Sequence, residues 1–406
     1  MPFRLILVLL GLTLAGCVTS APTQRAERPI VILVSMDSFR PEYLTRGITP
    51  NLTRLAAEGA SGSMQPSFPT KTVPNHYTLV TGLRPDHHGV VNNTMQDPTL
   101  PGLTFRLADA AAVLDRRWWD DGEPIWVTAE KAGIPTASVM WPGSEADIGG
   151  VPPGLVTRYD KAMTSDQRID RALSFLDLPI GERPGFIGVY LERLDNVGHA
   201  VGPDDPRLTP EIVSMDGSIG RLVAGIEARG LRDRVVLLLV SDHGLSGISP
   251  ERVVRLGPLA SSDAASVLYN GATISIEPAP GQDEAVAAEV LAPREHMSCW
   301  RRGTVPARFA FGHHRRVPSL FCVADVGWEI LKIGDPVSAN HGDHGWDNLE
   351  PDMQAIFIAN GRGVRPGTRI VGLENVDLHA LMGRLLGIAV PEDDGDAQSL
   401  AGVVGP

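Results

Sequence analysis

The sequence predicts an α/β fold, a mostly parallel central sheet with helices on both faces, plus a smaller inserted region. Two observations carry the prediction. Nearly unbroken apolar runs of strand length recur along the chain, as in strands buried on both faces. Helix-like segments lie between several of them, and strands alternating with helices indicate a parallel sheet.

The strand-length runs are Ile30–Met36, Thr136–Met140, Phe186–Leu191, Val235–Val240 and Ala355–Ala359, and each is β-branched or leucine-rich. The helical segments are Thr49–Glu58, Ser165–Leu176, Thr209–Ala228 and Asp283–Leu291. Thr49–Glu58 carries Pro50 near its start and Gly59 just past its end, the usual asymmetry of helix punctuation. No internal repeat is evident.

The 406 residues are 43 % apolar and 21 % charged, an ordinary globular balance that excludes wholesale disorder. That length supports one large α/β domain or two smaller ones. The net charge of −12 argues against binding a nucleic-acid backbone, which calls for a basic stripe. Small anionic substrates stay open, because a bound metal inverts the local field.

The first residues read as an address. One charge at Arg4 precedes an apolar run, Leu5–Leu14, too short to span a bilayer, and Leu14-Ala15-Gly16-Cys17 follows. That order resembles the bacterial lipobox. It implies a signal peptide over 1–16, acylation of Cys17, and a tether over 17–28. Val18 then suits the outer membrane, so the expected location is the periplasm or cell envelope, held by a lipid anchor. The alternative is an ordinary secretory signal with an incidental cysteine. The other cysteines are Cys299 and Cys322; with no CxxC, a thiolate zinc site is not expected. The pair forms one disulfide in an oxidising compartment or stays as two buried thiols, and spacing does not decide between them.

In a parallel sheet, ligands bind beyond the carboxyl ends of the strands. Asp37 follows the first apolar run, Asp195 and His199 follow Phe186–Leu191, and Asp242-His243 follow Val235–Val240. His344 sits in a further cluster, Asn340–Asp347. Each alone reads as a cap or turn. Together they read as metal ligands, and Asp and His without thiolate suit zinc, manganese or iron over calcium. With six or more donors and about four ligands per zinc, two sites are expected.

A candidate nucleophile lies in Pro66–Tyr77, where Thr70 and Thr72 flank Lys71 between prolines. The segment enters a helix-like stretch, and a helix start offers free N–H groups to a developing oxyanion. This segment alone does not choose between the two threonines.

These residues together resemble the nucleotide pyrophosphatase/phosphodiesterase family of the alkaline phosphatase superfamily. The matching pieces are Met36-Asp37, Pro69–Tyr77, Gly89–Met95, Gly122–Trp126, Trp141–Ser144, Tyr190–Glu192, Asp195-x-x-Gly-His199, Ser241–Gly244 and Gly342–Asn348. They run in the family's order from about residue 29 to 390. The resemblance implies an alkaline phosphatase-like catalytic domain over 29–395, with about 260–335 as a variable insertion. It implies Thr72 as the nucleophile and two Zn2+ per subunit. One ion takes Asp37, Thr72, Asp242 and His243; the other takes Asp195, His199 and His344. Asn93 and the Thr72 N–H would hold the oxyanion. The implied reaction passes through a phosphothreonine and releases nucleoside 5′-monophosphates.

The base pocket departs from the family pattern. Val73 stands where members often carry a stacking Phe, Tyr159 is the expected opposing aromatic, and Tyr190 is expected to line the same pocket. Loss of one ring is expected to weaken base binding about ten-fold or to shift preference among bases or substrates. The alternatives are a phosphomonoesterase or a lipid-headgroup phosphodiesterase of the same superfamily, and a non-catalytic metal-holding surface lipoprotein. A sulfatase is excluded, because neither remaining cysteine lies in a C/S-x-P-x-R motif.

Overall fold

The computed structural model describes residues 28–396 and 398–405. The expected signal peptide, the acylated Cys17 and the tether up to residue 27 lie outside the described residues.

One eight-stranded sheet organises the chain. Its order is Thr368–Glu374, Ala60–Gln65, Ala355–Gly361, Val235–Val240, Ile30–Met36, Phe186–Leu191, Thr136–Val139, Leu155–Thr157. Every strand runs the same way except Ala355–Gly361, which is antiparallel to both its neighbours. The expected Ala355–Ala359 run is thus a strand, two residues longer, but the reversed one. Continuous apolarity reports burial on both faces and says nothing of direction.

Each central strand splits its side chains between two cores. Ile30, Ile32, Val34 and Met36 enter one apolar cluster, and Val31 and Leu33 the other. Helices Pro50–Glu58, Ser165–Phe175 and Thr209–Ala228 cover the first face. Thr72–Thr81, Ile125–Lys131 and Leu378–Leu386 cover the second. Ser165–Phe175 starts at a capping box of Thr164 and Gln167. Thr49 makes no such cap; Asp216, on the long helix, instead accepts the Asn51 and Leu52 N–H groups at 3.2 and 2.8 Å.

The expected inserted region is a separate layer. Ala265–Ser266, Thr273–Pro278, Leu320–Ala324 and Met297–Arg301 form a four-stranded antiparallel sheet with its own apolar cluster, backed by Asp283–Val290. Cys299 and Cys322 face each other in register there and are disulfide-bonded. The chain beyond 395 also belongs to the domain: Leu400 and Val403 are buried, and Val404 pairs with Val364. Among the described residues no helix is long and apolar enough to cross a membrane.

Candidate active site

Ile30–Met36 lies between Val235–Val240 and Phe186–Leu191, in parallel register with both. Their carboxyl ends therefore deliver Asp37, Asp242-His243 and the Arg193–Val201 helix to one place. Asp37, Asp242 and His243 form one buried group whose ligand atoms lie within 4.8 Å of one another; Asp195, His199 and His344 form another. The His243 and His344 rings stack between them, 3.7 Å apart. Gly244 is required by close approach: a Cβ there would sit 2.0 Å from the Asp352 carbonyl.

All three imidazoles are held the same way. Nδ1 of His243, His199 and His344 donates to the carbonyls of Gly244 (2.9 Å), Gly342 (2.8 Å) and Thr70 (2.7 Å). A carbonyl accepts only, so Nδ1 carries the proton and the Nε2 lone pair faces the carboxylates. Asp37 Oδ1 and Asp242 Oδ2 are buried with no hydrogen-bond donor. Buried, unpaired carboxylate oxygens facing imidazole lone pairs are a donor set for a divalent cation, and zinc takes these ligand types.

The electrostatics agree. Burial, with the charges of Asp242 and Asp195, pushes the Asp37 carboxyl well above the ordinary carboxylate range. Burial also opposes ionisation of Asp242, but His243 and His76 outweigh it and hold that carboxyl well below the range. Burial lowers His243, and Asp242 more than reverses this. Burial and the charges of His243 and Lys71 keep His344 well below the usual imidazole value. A positive charge is favoured among Asp37, Asp242 and His243, and His344 stays a neutral donor.

Thr70 and Thr72 are now distinguished. Thr70 Oγ1 donates to the Trp346 carbonyl at 3.1 Å and accepts the Gly345 N–H at 2.9 Å. Thr72 opens helix Thr72–Thr81, is 5 % exposed, and places Oγ1 3.3 Å from His243 Nε2. Its N–H, first in the helix, lies outside the helical ladder. Asn93 Oδ1 accepts the Val73 N–H at 2.8 Å, so its amide nitrogen is the end left for another partner. Asn75 braces the loop: Oδ1 accepts from the Ser67 N–H and Asn375, and Nδ2 donates to the Pro69 and Lys71 carbonyls. Lys71 points away from Thr72 onto Asp343, 3.4 Å, and the His344 carbonyl. The inserted layer grips the Asn93 loop through buried Arg316, which donates to the Gly89 and Trp118 carbonyls at 2.8 Å and to Asp97 at 2.6 Å.

The three expected pocket residues diverge. Tyr159 is 51 % exposed, with its hydroxyl 3.4 Å from Glu192 and Arg168 over its ring. Val73 has no accessible surface and packs in the apolar cluster behind the helix, so its side chain faces no open cleft. Tyr190 is not on a pocket wall: its hydroxyl donates to Asp37 Oδ2 at 2.5 Å, from a buried strand position next to His76. In the parallel register Tyr190 pairs with Ser35, two residues before Asp37, so its side chain lies on the Asp37 side of the sheet, a relation that only strand pairing reveals. Ser38, His76 and Asn75 were also missed; His76 Nδ1 donates to the Thr72 carbonyl at 2.8 Å and lies 3.3 Å from Asp242.

Residues 31–347 match the family described as type I phosphodiesterase / nucleotide pyrophosphatase. The chain belongs to that family. Its members hydrolyse phosphodiester and pyrophosphate bonds, and this chain is such a hydrolase. It is 33 % identical over 380 residues to an uncharacterized pyrophosphatase/phosphodiesterase of Schizosaccharomyces pombe, covering 90 % of this chain and 78 % of that one. It is 32 % identical to human ectonucleotide pyrophosphatase/phosphodiesterase family member 1, spanning 92 % of this chain but 42 % of that relative. The structure of human ectonucleotide pyrophosphatase/phosphodiesterase 5 superposes with a TM-score of 0.88 at 30 % identity, covering 93 % of this chain and all of that one. An inactive threonine-to-alanine variant of the murine protein, in complex with AMP, is similar at 28 % identity and the same TM-score. The phosphodiesterase fold seen here is thus the one shared with those proteins, alkaline phosphatase-like and mostly parallel.

Proposed function

We propose that this phosphodiesterase cleaves nucleotide pyrophosphate and phosphodiester bonds through a phosphothreonine at Thr72, releasing nucleoside 5′-monophosphates. The observation that carries the reading is Thr72 Oγ1, 3.3 Å from His243 Nε2, at a helix start beside two carboxylate–imidazole groups. The nucleotide preference draws support from the relative that holds AMP.

Asp37, Asp242, His243 and Thr72 would hold one zinc ion; Asp195, His199 and His344 would hold a second. Two such ions supply charge neutralisation for the phosphoryl group and make the threonine hydroxyl more acidic. Thr72 Oγ1 forms a bond to phosphorus as the bond from phosphorus to the leaving oxygen breaks, in line. Water then cleaves the phosphothreonine ester and restores the hydroxyl. The Thr72 N–H and Asn93 Nδ2 hold a non-bridging oxygen whose charge changes in the transition state. His76 fixes the Thr72 carbonyl, and Tyr190 fixes Asp37. The half-exposed Tyr159 ring offers one face to a base, and buried Val73 adds no second ring, so base binding rests on one-sided stacking. We place the enzyme in the cell envelope, lipid-anchored at Cys17; a disulfide-bonded insertion suits that oxidising location.

The test is a substrate panel: a chromogenic nucleoside 5′-phosphodiester, the matching monoester and a choline phosphodiester, with wild type, Thr72→Ala and chelated enzyme. The nucleoside diester should turn over fastest and lose turnover in the other two preparations. Faster turnover of the monoester or the choline diester would replace this reading with the corresponding alternative.

A further inference from the structure

Ser38 is a non-glycine residue held at φ +60°, buried, immediately after Asp37. An L side chain in that left-handed region is strained, and glycine would occupy it freely. A serine tolerated there points to work done by its side chain. Its Oγ donates to Asp195 Oδ1 at 2.6 Å, a short bond of the charge-assisted kind. Its backbone N–H lies 3.4 Å from Asp242 Oδ1, and its Oγ lies 3.4 Å from His243 Nδ1. One residue therefore touches Asp195 in one ligand group and Asp242 and His243 in the other.

We propose that Ser38 is a positioning residue that ties the Asp195–His199–His344 group to the Asp37–Asp242–His243 group and so fixes the second metal site relative to the first. This rests on the dinuclear reading above. The remaining ties of Asp195 are looser: His199 Nε2 stands at 3.4 Å and His344 Nε2 at 3.9 Å, and neither nitrogen carries a proton to donate. The serine hydroxyl is thus the close donor that orients the Asp195 carboxylate, and hydrogen bonds to a metal ligand set both its aim and its affinity. Loss of the hydroxyl should loosen the Asp195 ion about ten- to a hundred-fold, leaving the other ion in place.

The experiment compares the whole chain as wild type, Ser38→Gly and Ser38→Ala. Each is loaded with zinc, dialysed against graded chelator, and measured for bound zinc and for thermal unfolding after complete stripping. Wild type should hold two zinc ions. Ser38→Gly should release one of them at about ten- to a hundred-fold weaker chelation, while its stripped form unfolds no lower than wild type, because glycine relieves the backbone. Ser38→Ala should lose the same ion while keeping the strain. A wild type that holds no zinc overturns the dinuclear reading itself. A wild type that holds two, with Ser38→Gly holding both equally well, overturns the role of Ser38 alone. A Ser38→Gly chain whose stripped form unfolds lower and whose two ions weaken together marks a merely structural residue and overturns it too.

Discussion

Asn375 donates to Asn75 Oδ1 at 2.8 Å, a buried bond between residues 300 apart in sequence. It joins the Pro66–Tyr77 segment to the turn that opens helix Leu378–Leu386. Asn75→Ala would leave the Ser67 N–H and the Asn375 Nδ2 without partners, while the Pro69 and Lys71 carbonyls keep one backbone N–H each. Each buried loss costs about 1–3 kcal/mol, so the variant should lose about 3 kcal/mol or more in denaturant unfolding. An unchanged midpoint would show that the loop is held by other contacts.

The two threonines of that loop should separate stability from chemistry. Thr72→Ala should cut the turnover of a nucleoside diester by about a thousand-fold or more and change stability by less than about 1 kcal/mol. Thr70→Val should keep turnover within about ten-fold and destabilise by about 1–3 kcal/mol, because the Gly345 N–H is left buried and unpaired. Paired kinetics and unfolding curves read both. The reverse pattern would move the nucleophile to Thr70.

In the proposed mechanism Asn93→Ala removes a donor to the transition state and leaves the Thr72 hydroxyl present. The expected loss is about 100- to 1000-fold in kcat with little change in KM. A rise in KM at constant kcat would instead make Asn93 a ground-state binding residue.

Acid should unfold the protein partly through His88. Burial, with the nearby His314, lowers this imidazole from 6.5 to about 3. It is held neutral between the Val90 N–H and Thr78 Oγ1. The unfolded chain takes up the proton near pH 6.5 and the native chain only near 3. The stabilisation is therefore complete above the unfolded value and is lost as pH falls, by about 1.4 kcal/mol per pH unit between roughly pH 6 and 4. Unfolding free energies measured across that range should show the slope, and His88→Gln should flatten it. An equal slope in the variant would assign the acid sensitivity to other groups.

Cys17→Ser should move the protein from the membrane fraction to the soluble fraction of cells, with the specific activity unchanged. Equal membrane retention would disprove acylation at that thiol.

Strand and helix identity was legible where burial was two-sided or punctuation was strong. Thr209–Ala228 has the same bounds in sequence and structure, and Thr136–Met140 differs by one residue, because Met140 turns to φ +62°. Ala60–Gln65 and Thr368–Glu374 were not legible: one reads ASGSMQ, the other alternates exposed and half-buried side chains at the sheet margin. Their pairing is set by neighbours rather than by their own apolar pattern. In the site, five of the six Asp and His positions follow hydrophobic strands and His344 lies in the Asn340–Asp347 cluster; the six fall into two groups of three. The residues that hold them were not legible. Tyr190 looks like an ordinary strand aromatic, and Ser38 looks like an ordinary turn former, until distance shows what each hydroxyl touches.

Arg316 belongs to the inserted layer, yet its guanidinium ends on the carbonyl of Gly89, four residues before Asn93. The inserted layer and the Asn93 loop therefore share a mechanical joint. Swapping this insertion with that of a relative would remove the clasp on Gly89 and so disturb the loop that carries Asn93. A productive chimera must transplant Gly89–Asp97 together with the segment that clasps it.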